Sequence, residues 1–222
     1  MRVMLLANRP NLTTRLKRFR ETLEELGYEV IVPHFDTINW ERVAREVNAV
    51  IKKERPDVVH IFNVPDLIYR NLPKLKGSYF DKLIYDYRSP WGLSVQMSFG
   101  YPGRVFAEHF EKKLAASSDA IITVNTPLAE KLRSYNGVRE KNLYVVPNYP
   151  PRSFIEMGKD EDSEEEGEEA ITFVGRISRK EGIRNLMQIA KKFPDEEVWI
   201  VGGGHFAWWH LRNMPENVKA FG

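Results

Sequence analysis

The sequence predicts an α/β fold of parallel sheets covered by helices. Three observations predict it. Short runs rich in Val, Ile and Leu alternate with amphipathic stretches along the chain. Gly, Pro or Asn punctuates most junctions. The alternation breaks at one acidic stretch and then restarts. Apolar runs that do not alternate inside and outside belong to parallel sheets with helices on both faces.

Each element follows in turn. "RVMLLA" is a strand, and Leu12 to Leu26 is a helix with Leu16, Phe19, Leu23 and Leu26 on one face. Gly27 stops that helix, and "GYEVIVPHF" is the next strand. Trp40 to Glu54 is a second helix, ended by Arg55-Pro56. "DVVHIF" and "KLIYDY" are strands three and four. A helix from Phe106 to Ala116, the strand "DAIITV", a helix opened by Thr126-Pro127 and the strand "NLYVVPN" complete the first domain, residues 1–155. Residues 156–169 are expected to be an acidic linker, since such a composition buries no core. In residues 170–222 the strand "AITFVG", a helix from Ile183 to Phe193, the strand "EEVWIVGG", a short helix around Phe206 to Arg212 and the strand "NVKAFG" give a βαβαβ unit.

Composition narrows the function. The 222 residues contain no cysteine, which removes disulfides and thiolate chemistry and suits a reducing cytoplasm. The charged fraction of 29% without cysteine would suit a thermophile. No run approaches the ~20 apolar residues of a membrane span. The net charge of +2 hides an asymmetry: residues 160–169 hold eight acids and no base, and residues 1–158 carry 24 Lys and Arg against 18 Asp and Glu. A basic face suits a phosphorylated small molecule, an anionic lipid or a nucleic acid, although an ordinary solvated surface explains it as well. No nucleic-acid module signature, hydrolase elbow or zinc-binding His pattern is present.

Two constellations carry chemistry. In "ITFVGRISRKEGIRNLMQ", Gly175 ends a strand, Arg176, Arg179, Lys180 and Arg184 cluster, and Gly182 precedes a helix. Fixed cations beside free helix N–H groups make an anion site; a plain strand–helix turn with solvated cations is the alternative. The glycine run of "VWIVGGGHF" permits close approach of a phosphate there, and His205 follows it. On the first domain, "IYDYRSPWG" places Asp86, Arg88 and Trp91 at the functional edge of the sheet, with His60 nearby. A carboxylate, a guanidinium and an indole bind a sugar by hydrogen bonds and ring stacking. Equally, Asp86 and Arg88 pair with each other, Trp91 belongs to the core, and His60 is a buried histidine.

Four segments together resemble the retaining glycosyltransferases of family 4: "FVGRISRKEGIRNLMQIA", "VWIVGGGHFAWWHLRNMPENVKAFG", the run from Glu111 to Pro150, and "IYDYRSPW". The resemblance implies a GT-B fold, with a complete N-terminal Rossmann-like sheet and a partial second one. It implies a nucleotide diphosphate-sugar donor on the second domain, held by Gly175, Arg176, Lys180, Gly203 and Gly204. Arg176 and Lys180 are the catalytic cations that receive the departing diphosphate, and no metal or other cofactor is expected. His60, Asp86, Arg88 and Trp91 face a glycan or lipid-linked acceptor. The expected setting is the cytoplasm, with peripheral attachment at the inner membrane face. The family's Lys-Gly pair is Glu181-Gly182 in this chain, with Lys180 one position early. The family's paired donor glutamates fall beyond Gly222, so half of the donor domain is expected to be missing. A second chain completing the sheet is one expected partner. A non-catalytic GT-B relic and a sugar-nucleotide epimerase are the competing readings.

Overall fold

The computed structural model describes residues 1–37, 39–150, 152–157, 169–178, 181–204 and 207–221. The chain divides into two compact units, Met1–Gly158 and Lys159–Gly222.

The first unit runs β1 (Arg2–Leu6), α1 (Thr14–Glu25), β2 (Glu29–Ile31), α2 (Trp40–Glu54), β3 (Val58–Phe62), α3 (Leu72–Leu75), β4 (Lys82–Tyr87), α4 (Trp91–Ser117), β5 (Ala120–Thr123), α5 (Thr126–Arg133), β6 (Leu143–Val145) and α6 (Arg152–Met157). Its six strands are parallel, in the order β2-β1-β3-β4-β5-β6. The winding reverses at β1. Right-handed crossovers therefore put α1 on one face and the later helices on the other. The packing agrees. Leu16, Phe19 and Leu23 of α1 meet Val3, Leu5, Val58 and Phe62. Val43, Val47 and Ile51 of α2, Leu114 of α4 and Leu132 of α5 meet Met4, Leu6, Val59, Ile61 and Tyr85 on the opposite face.

Local chemistry sets the boundaries. Asn39 caps α2 by accepting hydrogen bonds from the N–H groups of Glu41 and Arg42, at 3.0 and 3.1 Å. Asn125, rather than Thr126, caps α5, accepting from the Leu128 N–H at 3.0 Å. The helix expected from Phe106 begins at Trp91 instead, because the structure bends it rather than ending it. Gly100, at φ 67° and ψ −167°, makes the break, and Pro102 starts the second arm. Gly103 then sits too close to Phe99 and Val95 for any side chain.

The second unit runs β7 (Ala170–Val174), α7 (Ile183–Lys192), β8 (Glu197–Val201), α8 (Ala207–Leu211) and β9 (Val218–Phe221), with parallel strands in the order β7-β8-β9. The described helices of this unit lie on one face of its sheet. Strands laid down in one direction put every right-handed crossover helix on the same side. Leu186 and Ala190 of α7 and Leu211 of α8 all pack on the face of Phe173, Val198, Ile200 and Val218. The opposite face leaves Val174, Val201 and Phe221 exposed. Among the described residues no helix is long and apolar enough to cross a membrane.

Candidate functional site

In the first unit the winding reverses between β1 and β3, which opens a crevice beyond the carboxyl ends of those strands. Strand parity puts His60 and Asp86 on the α1 face, since Val58, Phe62 and Ile84 of the same parity pack there. Arg15, in the first turn of α1, reaches over them. Its Nε donates to Asp86 Oδ2 at 2.8 Å. Its Nη1 lies 3.2 Å from the Pro147 carbonyl and 3.3 Å from Asn148 Oδ1. Both side chains are buried, at 5% and 0% exposure. An ion pair so desolvated is worth little net stability, yet losing one partner strands the other at a cost of about 3–5 kcal/mol.

The sequence allowed Asp86 to pair with Arg88; the structure gives that carboxylate to Arg15. Arg88 is in the loop after β4, where the backbone has left the strand. Its N–H donates to Asn63 Oδ1 at 2.9 Å, and its guanidinium donates to the Asn63 carbonyl. Burial lowers the Arg88 pKa while the Asp86 charge works to raise it, and a guanidinium so placed stays protonated. His60 is 2% exposed, stacks on Phe62 at 4.5 Å between centroids and meets the edge of Phe19 at 4.8 Å. Its Nε2 stands 3.7 Å from Asp86 Oδ2. Trp91 is 3% exposed and edge-on to Trp40, so its indole is a core group with no open face for a sugar.

A pocket of about 370 Å³ opens at this edge, lined by Thr13, Thr14, Arg15, Arg18, Arg88 and the Asn148–Tyr149 pair. Sequence reasoning missed Arg15, Arg18 and Tyr149. The legible signal was two arginines three residues apart at the start of a helix, where the helix dipole disfavours cations.

On the other face of β4, burial holds the Asp66 carboxyl well above its ordinary pKa. The Glu111 charge adds to this, against the Tyr85 hydroxyl and the charges of Lys131 and Arg88. Tyr85 donates to Asp66 at 3.0 Å; Tyr87 and Tyr135 donate to Glu111 at 3.0 and 2.7 Å.

In the second unit the loops after β7 and β8 continue the strand pairing. The Gly175 N–H donates to the Val201 carbonyl at 3.0 Å, and the Ile177 N–H to the Gly203 carbonyl at 2.9 Å. This closeness consumes two of the three glycines. A Cβ on Gly202 would lie 2.1 Å from the Gly175 oxygen, and one on Gly204 2.5 Å from the Ile177 oxygen. Gly203 faces open space. Arg176, in the loop after β7, is exposed and makes no ion pair or hydrogen bond to another described residue. Gly182, at φ 82°, leads into α7 without a side-chain cap. Gly175, Arg176, Gly203 and Gly204 thus gather at the carboxyl ends of β7 and β8. Arg179, Lys180 and His205 lie outside the described residues.

Known proteins resemble the chain at three levels. Residues 2–149 match the family described as Glycosyltransferase Family 4. Spore coat protein SA of Bacillus subtilis (strain 168) is 26% identical over 205 residues, covering 85% of this chain and 51% of that protein. The chain therefore spans about half the length of this curated relative. Sucrose-phosphate synthase from Thermosynechococcus elongatus superposes with a TM-score of 0.68 at 14% identity, over 100% of this chain and 70% of its own. The S. aureus MnaA–UDP complex superposes at 0.60 with 11% identity, over 99% and 68%. These likenesses speak for the fold, and the two parallel sheets are those of the GT-B architecture. With about two thirds of its length inside the family match, the chain belongs to glycosyltransferase family 4.

Proposed function

We propose that the chain takes part in glycosyl transfer from a nucleotide diphosphate-sugar to a glycan or lipid-linked acceptor. In that reaction the bond between the sugar's anomeric carbon and the diphosphate breaks, and the electron pair leaves with the diphosphate oxygen. The acceptor hydroxyl oxygen bonds to the same carbon, and its proton passes to the departing diphosphate oxygen. The developing charge sits on the leaving group, so fixed cations near it lower the barrier. Arg176 is the cation assigned to this role, with Lys180 as its partner. No metal is required where guanidinium and ammonium groups take that place.

One observation carries the reading: an exposed Arg176 at the tip of β7, beside the open Gly203 and without an ion pair or hydrogen bond to another described residue. Calorimetric titration with UDP and GDP tests it. Arg176→Ala should weaken nucleotide binding about tenfold or more, the loss of a charge-assisted contact worth roughly 1.5–3 kcal/mol. Arg88→Ala should leave it unchanged. Equal affinity in wild type and Arg176→Ala removes the donor assignment.

A second reading, a non-catalytic GT-B binding module, is favoured by the exposed face of Val174, Val201 and Phe221, which suits a covering polypeptide. Sugar transfer by the purified chain, with the mass of a monomer in light scattering, excludes it.

A further inference from the structure

We infer that the Arg15–Arg18–Arg88 pocket binds a phosphate group carried by the acceptor. Three guanidinium groups line one pocket of about 370 Å³, and none of its described lining residues carries a carboxylate. Each leaves a buried N–H without an acceptor: Nη2 of Arg15, Nε of Arg18 and Nε of Arg88. Buried unpaired donors on charged groups are costly, and the same cluster leaves His60 Nε2 and Asp86 Oδ1 without a partner too, so its polar groups are incompletely satisfied. Arg15 is also rigidly held. Its side chain is 95% buried, fixed through Nε by Asp86 and through Nη1 by the Pro147 carbonyl and Asn148. Asp86 pairs directly with Arg15 while its charge also acts on Arg88, and Glu21 pairs with Arg18 at 2.5 Å, so three guanidinium groups stand against two carboxylates. The pocket also lies beside the first turn of α1, which Thr13 leaves without a side-chain cap because its hydroxyl donates back to the Arg9 carbonyl at 2.9 Å. Excess positive charge, forked donors and a helix N-terminus together fit the oxygens of a phosphate monoester.

The acceptor is the better source than the donor, and this step rests on the glycosyl-transfer reading. The loop from β1 into α1, "ANRPNLTT", contains no glycine, so it lacks the close backbone approach that cradles a diphosphate. The half-exposed ring of Tyr149 at the rim offers a surface for a sugar beside the phosphate.

Calorimetry on the full chain at low ionic strength tests the assignment, with inorganic phosphate, glucose 1-phosphate and glucose as probes. The expected order is glucose 1-phosphate tighter than phosphate, and no heat from glucose. Arg88→Gln and Arg18→Gln should each weaken both phosphates about tenfold, while Arg176→Gln leaves them unchanged. Arg15→Lys, which keeps the charge opposite Asp86, should also bind more weakly, and circular dichroism confirms that each variant is folded. Undiminished phosphate binding in the folded Arg18 and Arg88 variants overturns the site. Equal affinity for phosphate and glucose 1-phosphate, or displacement of glucose 1-phosphate by UDP, overturns the acceptor assignment. Failure of UDP and GDP to bind anywhere would defeat the transfer reading instead, and leaves the phosphate result standing as a separate outcome.

Discussion

Asp66 shows how burial turns one carboxyl into a pH-dependent element of stability. It is fully buried. Desolvation, reinforced by the Glu111 charge, raises its pKa well above 3.8, against the Tyr85 hydroxyl and the Lys131 and Arg88 charges. The sign follows from proton counting. Between the unfolded and folded pKa values the native state holds a proton that the unfolded chain has released, so stability falls as pH rises. The contribution is whole below the unfolded value and is lost by the time pH passes the folded one. Asp66→Asn cannot titrate. Its urea midpoint should decline less than that of the wild type as pH rises above the unfolded carboxyl value. Parallel profiles for the two proteins would remove Asp66 from the account. The same scale explains what the sequence hid at the pocket. Strand ends and polar residues drew attention to His60, Asp86 and Arg88, of which Arg88 lines the pocket. The Arg15–Asp86 pairing was hidden, because the two lie 71 positions apart and only the reversal of winding at β1 brings them together.

Elements were legible wherever periodicity and punctuation agreed. The strands of both sheets, α1, α2 and α7 follow directly from apolar spacing and from Gly27, Arg55-Pro56 and Gly182. The first arm of α4 was hidden because Gly100, Pro102 and Gly103 interrupt its helical punctuation, whereas in space they form a bend with close packing on Phe99 and Val95. The glycine run after β8 was legible as a close approach, but its reason differs by position. Gly202 and Gly204 serve the backbone of Gly175 and Ile177, and Gly203 alone is free for a ligand. Gly204→Ala should therefore destabilise the fold, by about 1–3 kcal/mol if the backbone shifts as in other overpacked sites. Gly203→Ala should leave the urea midpoint unchanged and affect only nucleotide affinity. Equal midpoints for the two variants would show that the loop after β8 moves freely away from Ile177.

At the scale of the whole molecule the two units are unequal in what they bury. The first has helices on both faces of six strands and two separate apolar clusters, one with twenty buried residues. Among its described residues the second has three strands and one cluster of seven buried residues, with Val174, Val201 and Phe221 exposed on its other face. Chains of about 60 residues bury too small a fraction of their surface to be more than marginally stable. The acidic run of residues 160–169 follows directly on the division after Gly158, but the one-sided cover of the second sheet depends on strand order, which no local run of residues encodes. The tryptophans separate the two units cleanly, with Trp40 and Trp91 in the first and Trp199, Trp208 and Trp209 in the second. Expressed alone, residues 1–158 should unfold in urea with one cooperative fluorescence transition. Residues 159–222 alone should show no cooperative transition, because the energy of a seven-residue core does not exceed the conformational entropy of ordering the segment. A sharp transition in the second fragment would mean that its exposed apolar face is covered by self-association, and a midpoint that rises with protein concentration would identify that cause.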